Sequence, residues 1–153
     1  MSALELKVPP PAVALVVGLA MGWVSRYGVL EGVPLAWRVG VALAVAAVGA
    51  CFDVAGILAF WRAKTTVNPM KPEKSAALVC SGVYRITRNP MYVGMVFILL
   101  AWAVYLASPW SLFGPLLFAA YITRFQIKPE ERVLAGRFGA EFASYQARVR
   151  RWL

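Results

Sequence analysis

Four apolar stretches alternate with polar segments along the chain. A helix needs about 20 apolar residues to cross a bilayer core, and somewhat fewer when flanking side chains reach the interface. The pattern therefore predicts an all-α integral membrane fold with about four transmembrane helices, over residues 12–24, 35–61, 90–107 and 112–125. Only "SPWS" separates the last two stretches, and its Pro and Ser residues predict a tight helical hairpin.

The pattern changes after the fourth stretch, where apolar residues recur at steps of three and four. They are Leu134, Phe138, Phe142, Tyr145 and Val149. This spacing predicts an amphipathic helix that lies against the cytoplasmic membrane surface or caps the bundle. We expect one membrane domain over residues 1–153, with cytoplasmic segments at 62–89 and 126–153.

Composition and charge agree with a membrane protein and indicate its orientation. Of 153 residues, 61% are hydrophobic and only 15% are charged, which is too apolar for an ordinary soluble domain. Thirteen of the sixteen basic residues lie between the second and third stretches or from Arg124 onward. Basic loops are retained on the cytoplasmic side, so we expect both termini and both motif segments there. Because the basic residues cluster at span ends, we expect no nucleic-acid partner despite the net charge of +9.

Neither metal binding nor a cleaved leader is expected. Cys51 and Cys80 form no CxxC pair, and the chain has no histidine, so we predict free thiols and no metal site. The N-terminal "MSALELKVPPP" lacks the basic start and small-residue cleavage site of a secretory signal. We expect the first span to remain in the mature protein.

A dense polar segment, "SGVYRITRNPMYVG", precedes the third apolar stretch. Asn89 and Pro90 predict the N-cap and first residue of a helix, because a residue before proline avoids the helical region and proline favours the first turn. The free N–H groups of that helix, with Arg88 nearby, predict an anion site that faces the cytoplasm. The alternative is a simple helix start flanked by the arginines and tyrosines common at membrane interfaces.

A second polar segment, "KPEERVLAGRFG", follows the fourth stretch. Pro129 again predicts a first helical position, which would put Glu130 and Glu131 in the first turn. Carboxylates there favour the helix dipole. The pair could also bind a cationic or multiply hydroxylated ligand.

Asp53 is an acidic residue within the second predicted span. It lies eight residues before Trp61, about 12 Å from the cytoplasmic end at about 1.5 Å per residue. Such residues are functional candidates. The alternative is a buried hydrogen bond or ion pair that only organises the bundle.

Two blocks together carry a family resemblance: "ALVCSGVYRITRNPMYVG", and then "EERVLAGRFGAEFASYQARVRRW" after the predicted hairpin. The region from about residue 60 to 153 resembles the isoprenylcysteine carboxyl methyltransferase family and its wider relatives among membrane phospholipid methyltransferases. The resemblance implies a helical membrane enzyme that binds S-adenosylmethionine without a Rossmann domain, and no GxGxxG motif follows a strand here.

The resemblance also implies the site residues, to which the anion-site argument adds Arg88. The expected cofactor contacts are Ala76, Ala77, Leu78, Val79, Tyr84, Arg88, Asn89, Pro90, Met91, Tyr92 and Glu130. The expected substrate contacts are Gln126 and Glu131. The sequence departs from the family at Asn89, where a histidine is usual, and at Gln126, where the family has a substrate-binding arginine. No catalytic residue is assigned.

The residues fit the chemistry of this cofactor. Its carboxylate suits the helix N-terminus and Arg88, its ribose hydroxyls suit Glu130, and its sulfonium suits the rings of Tyr84 and Tyr92. Methyl transfer depends largely on positioning and on excluding water. Only an acceptor that arrives protonated needs a base, for which Glu131, Asp53 and the tyrosines are candidates.

We therefore expect an integral membrane S-adenosylmethionine-dependent methyltransferase that acts on a lipophilic small molecule or lipid from the bilayer. The alternative is a non-catalytic four-helix scaffold or lipid-binding protein, whose arginines contact anionic headgroups of membrane lipids.

Overall fold

The structure is a computed structural model that describes residues 5–63 and 77–153. Over these two ranges it is helical and contains no strand. The helices are α1 (Pro10–Val24), α2 (Leu35–Arg62), α3 (Pro90–Leu106), α4 (Phe113–Ile122) and α5 (Lys128–Arg148). Each predicted apolar stretch holds one of the first four helices, so the all-α prediction is confirmed.

One described helix, α2, is long and apolar enough to cross a membrane. Helix α3 is also apolar but shorter, at 17 residues. These features support a membrane protein. That the chain has four transmembrane spans, and that both termini lie on the cytoplasmic side, stay predictions.

Helix α3 is the centre of the bundle, because α1, α2 and α4 all contact it. Its Tyr92, Leu99 and Ala103 form a buried core with residues of the neighbouring helices, among them Phe118 and Ile122. Helix α2 approaches α3 very closely, since a Cβ atom at Gly49 would lie 2.8 Å from the carbonyl oxygen of Gly94. The polar segment lies directly before the start of this central helix.

A short connection joins α3 to α4, as predicted. Ala107 ends α3 in the left-handed conformation, with φ of 48°, and a 3-10 turn over Pro109–Leu112 leads directly into α4. The two helices pack against each other. The start of α3 and the end of α4 therefore lie at the same end of the bundle.

Helix α4 continues into α5 through a π-helical turn, Thr123–Ile127. Proline has no N–H, so Pro129 cannot donate to the carbonyl four residues earlier, that of Phe125. The backbone N–H of Leu6 donates to this carbonyl instead, at 3.1 Å. Glu130 and Glu131 lie in the first turn of α5 as predicted. However, the helical backbone is continuous here, so the predicted role of these carboxylates at a free helix N-terminus is wrong.

The predicted C-terminal helix is α5, which buries Phe142 and Tyr145 and bends at Gly139, but it ends at Arg148 and does not include the predicted Val149. After Arg148 the backbone becomes extended at Val149, with φ of −124° and ψ of 133°. The last residues, 149–153, form what we call the C-terminal segment. It returns to the start of α3, where Arg88 donates its backbone N–H to the carbonyl of Arg150 at 2.9 Å.

Candidate functional site

The polar segment before α3 has the predicted backbone arrangement. Asn89 is the N-cap residue of α3 and Pro90 is its first residue. Asn89 thus occupies the predicted N-cap position, but its side chain makes no capping hydrogen bond. Instead, its Nδ2 donates to the carbonyl of Arg151 at 2.9 Å. Asn89 therefore holds the end of the chain against the start of α3.

Arg88, Glu131 and Arg151 form a cluster of charges beside this contact. Glu131 accepts from Arg88 Nη2 at 2.8 Å and from Arg151 Nη2 and Nε at 2.7 and 3.0 Å. Burial alone would raise the pKa of Glu131, but the donors of Arg151 and Arg88 outweigh it and lower that pKa. Glu131 is therefore a firmly held carboxylate.

Besides its bond to Glu131, Arg88 donates hydrogen bonds to the backbone near the end of α5. Its Nη1 donates to the carbonyls of Gln146 and Val149, at 3.2 and 2.6 Å. Its Nε is buried and has no hydrogen-bond partner among the described residues. Arg88 is therefore held by the protein through both of its terminal nitrogens.

A second polar cluster joins α3, the π-helical turn and α5. Tyr92 Oη and Gln126 Nε2 both donate to Oε1 of Glu130, at 2.8 and 2.7 Å. Burial raises the pKa of Glu130 to about 7, although the two hydrogen bonds act in the opposite direction. Glu130 therefore changes its charge near neutral pH.

Tyr84 lies in the polar segment before α3, near the Glu130 cluster. Its ring packs edge-on against Phe60 of α2, with centroids 5.5 Å apart, and its carbonyl accepts a 2.7 Å hydrogen bond from Tyr145. Burial raises the pKa of the Tyr84 hydroxyl, and the charges of Tyr145 and Glu130 add to the rise. Tyr84 thus lies within electrostatic reach of Glu130.

An open groove of about 660 Å³ runs between residues 78–81 and the end of α5. Leu78 and Val79 form part of one wall, Tyr145 lies opposite, and Arg85 and Arg148 contribute positive charge. Pockets that hold small molecules have volumes of about 300–1,000 Å³. The groove is therefore of a size that can hold a small molecule, and its lining combines apolar groups with two positive charges.

Most of the predicted site residues lie in the two polar clusters or in the groove. Tyr92, Gln126 and Glu130 meet in one cluster, while Arg88 and Glu131 meet in the other. Leu78 and Val79 line the groove, and Ala77 precedes them as a partly buried residue. Ala76 lies outside the described residues.

Two candidate residues lie instead at the contact between α2 and α3. Met91 occupies the space left by Gly56, and Asp53 lies against Gly94. Gly94 is two residues from Tyr92, and such residues point about 200° apart on a helix. Oδ1 of Asp53 is buried and has no hydrogen-bond partner in the described ranges, so the expected buried hydrogen bond is not seen for that atom. Asp53 is therefore not part of the Glu130 cluster.

The sequence reasoning missed Arg151, Thr87 and Tyr145. Thr87 Oγ1 donates to the carbonyl of Arg151 at 3.1 Å, across 64 positions of sequence. The only signal for Arg151 was the basic run "RVRRW" at the end of the chain. A basic run indicates charge but not the contact that it makes.

The family model described as phospholipid methyltransferase matches residues 37–141, which is more than half of the chain. An uncharacterized protein from Haemophilus influenzae is 41% identical over 63 residues, which are 41% of this chain and the whole length of that protein. No solved structure matches the chain.

Proposed function

This chain belongs to the phospholipid methyltransferase family, and we propose that it is an integral membrane enzyme that uses S-adenosylmethionine to methylate a lipophilic acceptor. The acceptor enters from the bilayer and the cofactor from the cytoplasm. In this proposal the chain spans the membrane four times, with both termini on the cytoplasmic side. The family match carries the proposal, because residues 37–141 include the polar segment before α3 and the Glu130 cluster.

The described residues support cofactor binding at the start of α3. The cofactor supplies a methyl group bound to a sulfonium sulfur. The rings of Tyr84 and Tyr92 attract a cation of this kind. The carboxylate of Glu130 accepts hydrogen bonds from hydroxyl groups, and Arg85 and Arg148 attract a carboxylate. Each of these groups lies at the cytoplasmic end that we propose for the bundle.

The proton chemistry favours Glu130 over Glu131 as a base. Both carboxylate oxygens of Glu131 accept from arginines, and these donors lower its pKa. Glu130 has a pKa of about 7, and a base is most efficient when its pKa lies near the working pH. We propose that Glu130 takes the proton from an acceptor, such as an amine, that arrives protonated.

The first test is calorimetry of the detergent-purified protein with S-adenosylmethionine and with its demethylated product. We expect binding of both, and a loss of affinity in Glu130→Gln. Glu141→Gln is the matched control, because Glu141 is an exposed glutamate on the same helix. If the unmodified protein binds neither compound, the scaffold alternative is favoured.

The second test identifies the acceptor. Lipid extract is incubated with the protein and with cofactor that carries a labelled methyl group. We expect the label in a lipid-soluble product, and in a much smaller amount with Glu130→Gln. Label found only in water-soluble products would contradict the proposed acceptor class.

A further inference from the structure

Three charged side chains hold the end of the chain against the start of α3. Glu131 is bonded to Arg88 on one side and to Arg151 on the other, and we call these three residues the charge clamp. They come from the polar segment before α3, from the first turn of α5 and from the C-terminal segment. The clamp therefore joins three parts of the chain that are distant in sequence.

Uncharged hydrogen bonds reinforce the clamp. Thr87 Oγ1 and Asn89 Nδ2 both donate to the carbonyl of Arg151, at 3.1 and 2.9 Å. One residue later, Trp152 Nε1 donates to Thr123 Oγ1 in the π-helical turn, at 3.2 Å. The C-terminal segment is thus fixed to the start of α3 and to the turn that carries Gln126.

The clamp is partly shielded from solvent. The side chains of Arg88, Glu131 and Arg151 are 11%, 13% and 34% exposed. Exposed ion pairs contribute little to stability, whereas the removal of one partner from a buried pair leaves an uncompensated charge. Loss of Arg151 would therefore disturb Glu131, although Arg88 would remain beside it.

Glu131 directly follows Glu130 in the sequence. The carboxylate of Glu130 accepts hydrogen bonds from Tyr92 and Gln126. Neighbouring side chains of one helical turn move together when the helix rotates. A displacement of the first turn of α5 would therefore move the carboxylates of Glu130 and Glu131 together.

We propose that Arg151 is a positioning residue for the cofactor site. Through the charge clamp it holds the first turn of α5 against the start of α3, and so keeps Glu130 and Tyr92 in the arrangement that binds the cofactor. This inference rests on the proposed function.

The test compares neighbouring arginines. Arg151→Met removes one positive charge from the clamp. Arg150→Met removes the same charge from an exposed side chain that makes no hydrogen bond in the described part of the chain. Arg151→Lys keeps the charge but cannot form the two parallel bonds to Glu131.

Two measurements are made well below the unfolding temperature of each variant. The affinity for S-adenosylmethionine is measured by calorimetry. Hydrogen–deuterium exchange of residues 128–134 is measured without any ligand. We expect Arg151→Met to weaken affinity by about tenfold or more, because small displacements of positioned groups are costly. We expect faster exchange in the same variant, partial recovery of both in Arg151→Lys, and changes within about twofold in Arg150→Met.

Three results would overturn the inference: unchanged affinity in Arg151→Met, equal losses in the two methionine variants, or no recovery in Arg151→Lys. If Arg151→Met does not fold, Arg151→Gln replaces it with the same expected results. If the unmodified protein does not bind the cofactor, the proposed function fails. The exchange comparison still decides, on its own, whether Arg151 holds the first turn of α5.

Discussion

The hydroxyl group of Tyr92 donates a 2.8 Å hydrogen bond to Oε1 of Glu130, and this bond joins the first turn of α3 to the first turn of α5. The same oxygen accepts from Gln126, at 2.7 Å. Two donors on one oxygen favour the ionised carboxylate, but burial outweighs them and the pKa of Glu130 is about 7. Burial and the two hydrogen bonds therefore act in opposite directions on the charge of Glu130.

Stability should depend on pH through Glu130. Its pKa is about 7 in the folded protein and 4.5 in its reference state. The folded state therefore holds this proton more tightly, so the contribution to stability is complete below the reference value and is lost as pH rises toward 7. Glutamine does not ionise, and Glu130→Gln should lack this loss. In thermal unfolding, the midpoint of the variant should rise relative to that of the parent between about pH 5 and pH 8. This is the range over which Glu130 titrates.

Glu141→Gln serves as the control for that measurement, since Glu141 is exposed on the same helix. Its midpoint should run parallel to that of the parent across the range. Parallel curves for Glu130→Gln as well would contradict the raised pKa of Glu130.

Asn89→Asp distinguishes two roles for Asn89. Aspartate is as good an N-cap residue as asparagine, so a capping role predicts little change. In the structure Nδ2 donates to the carbonyl of Arg151, and aspartate would place an acceptor against that acceptor. We expect both Asn89→Asp and Asn89→Ala to lower the free energy of unfolding by about 1 kcal/mol and to weaken cofactor binding. A fully stable Asn89→Asp protein would restore the capping interpretation.

Local backbone chemistry explains which parts of the fold could be predicted. The rule that proline disfavours a helix before it and starts one after it located the first residue of α3 at Pro90. The run Ser-Pro-Trp-Ser located the turn before α4 in the same way. The spacing of Phe142 and Tyr145 revealed the buried face of α5. Each of these signals lies within a few residues of the feature that it predicts.

The contacts of the C-terminal segment could not be found by such signals. Thr87 and Arg151 meet across 64 positions, and neither residue type requires that partner. The π-helical turn could not be predicted in this way either, because Pro129 predicts the start of a new helix, whereas the helical backbone is continuous there. The family resemblance brought Tyr92 and Glu130 into one proposed site, but only the fold supplies the hydrogen bond between them.

Helix α3 should tolerate a side chain at position 94 only if Asp53 is also changed. A Cβ atom added at Gly94 would overlap the carboxylate of Asp53. Overpacking typically costs about 1–3 kcal/mol, so Gly94→Ala should lower the thermal unfolding midpoint. Asp53→Ala removes the obstacle together with a buried oxygen that has no partner in the described ranges. We expect the double variant to be more stable than Gly94→Ala alone.

Gly40→Ala is the control for this pair, because an added Cβ atom there meets no atom within 4 Å. Alanine stabilises a helix relative to glycine, so this variant should be at least as stable as the parent. If Gly94→Ala and the double variant unfold together, Asp53 is not the group that excludes a side chain from position 94.

The acceptor should not be a prenylcysteine carboxylate. An arginine binds a carboxylate through two parallel, charge-assisted hydrogen bonds, whereas Gln126 is neutral and donates its Nε2 to Glu130. Gln126 is also 2% exposed, so it is held within the cluster. A neutral group at this position suits a neutral or cationic lipophilic acceptor. The test offers the purified protein a farnesylated cysteine analogue beside amine, thiol and hydroxyl lipids, with cofactor that carries a labelled methyl group. We expect label in the second set and no methyl ester on the analogue. Ester formed only by Gln126→Arg would identify position 126 as the determinant of specificity, whereas efficient ester formation by the unmodified protein would contradict this assignment.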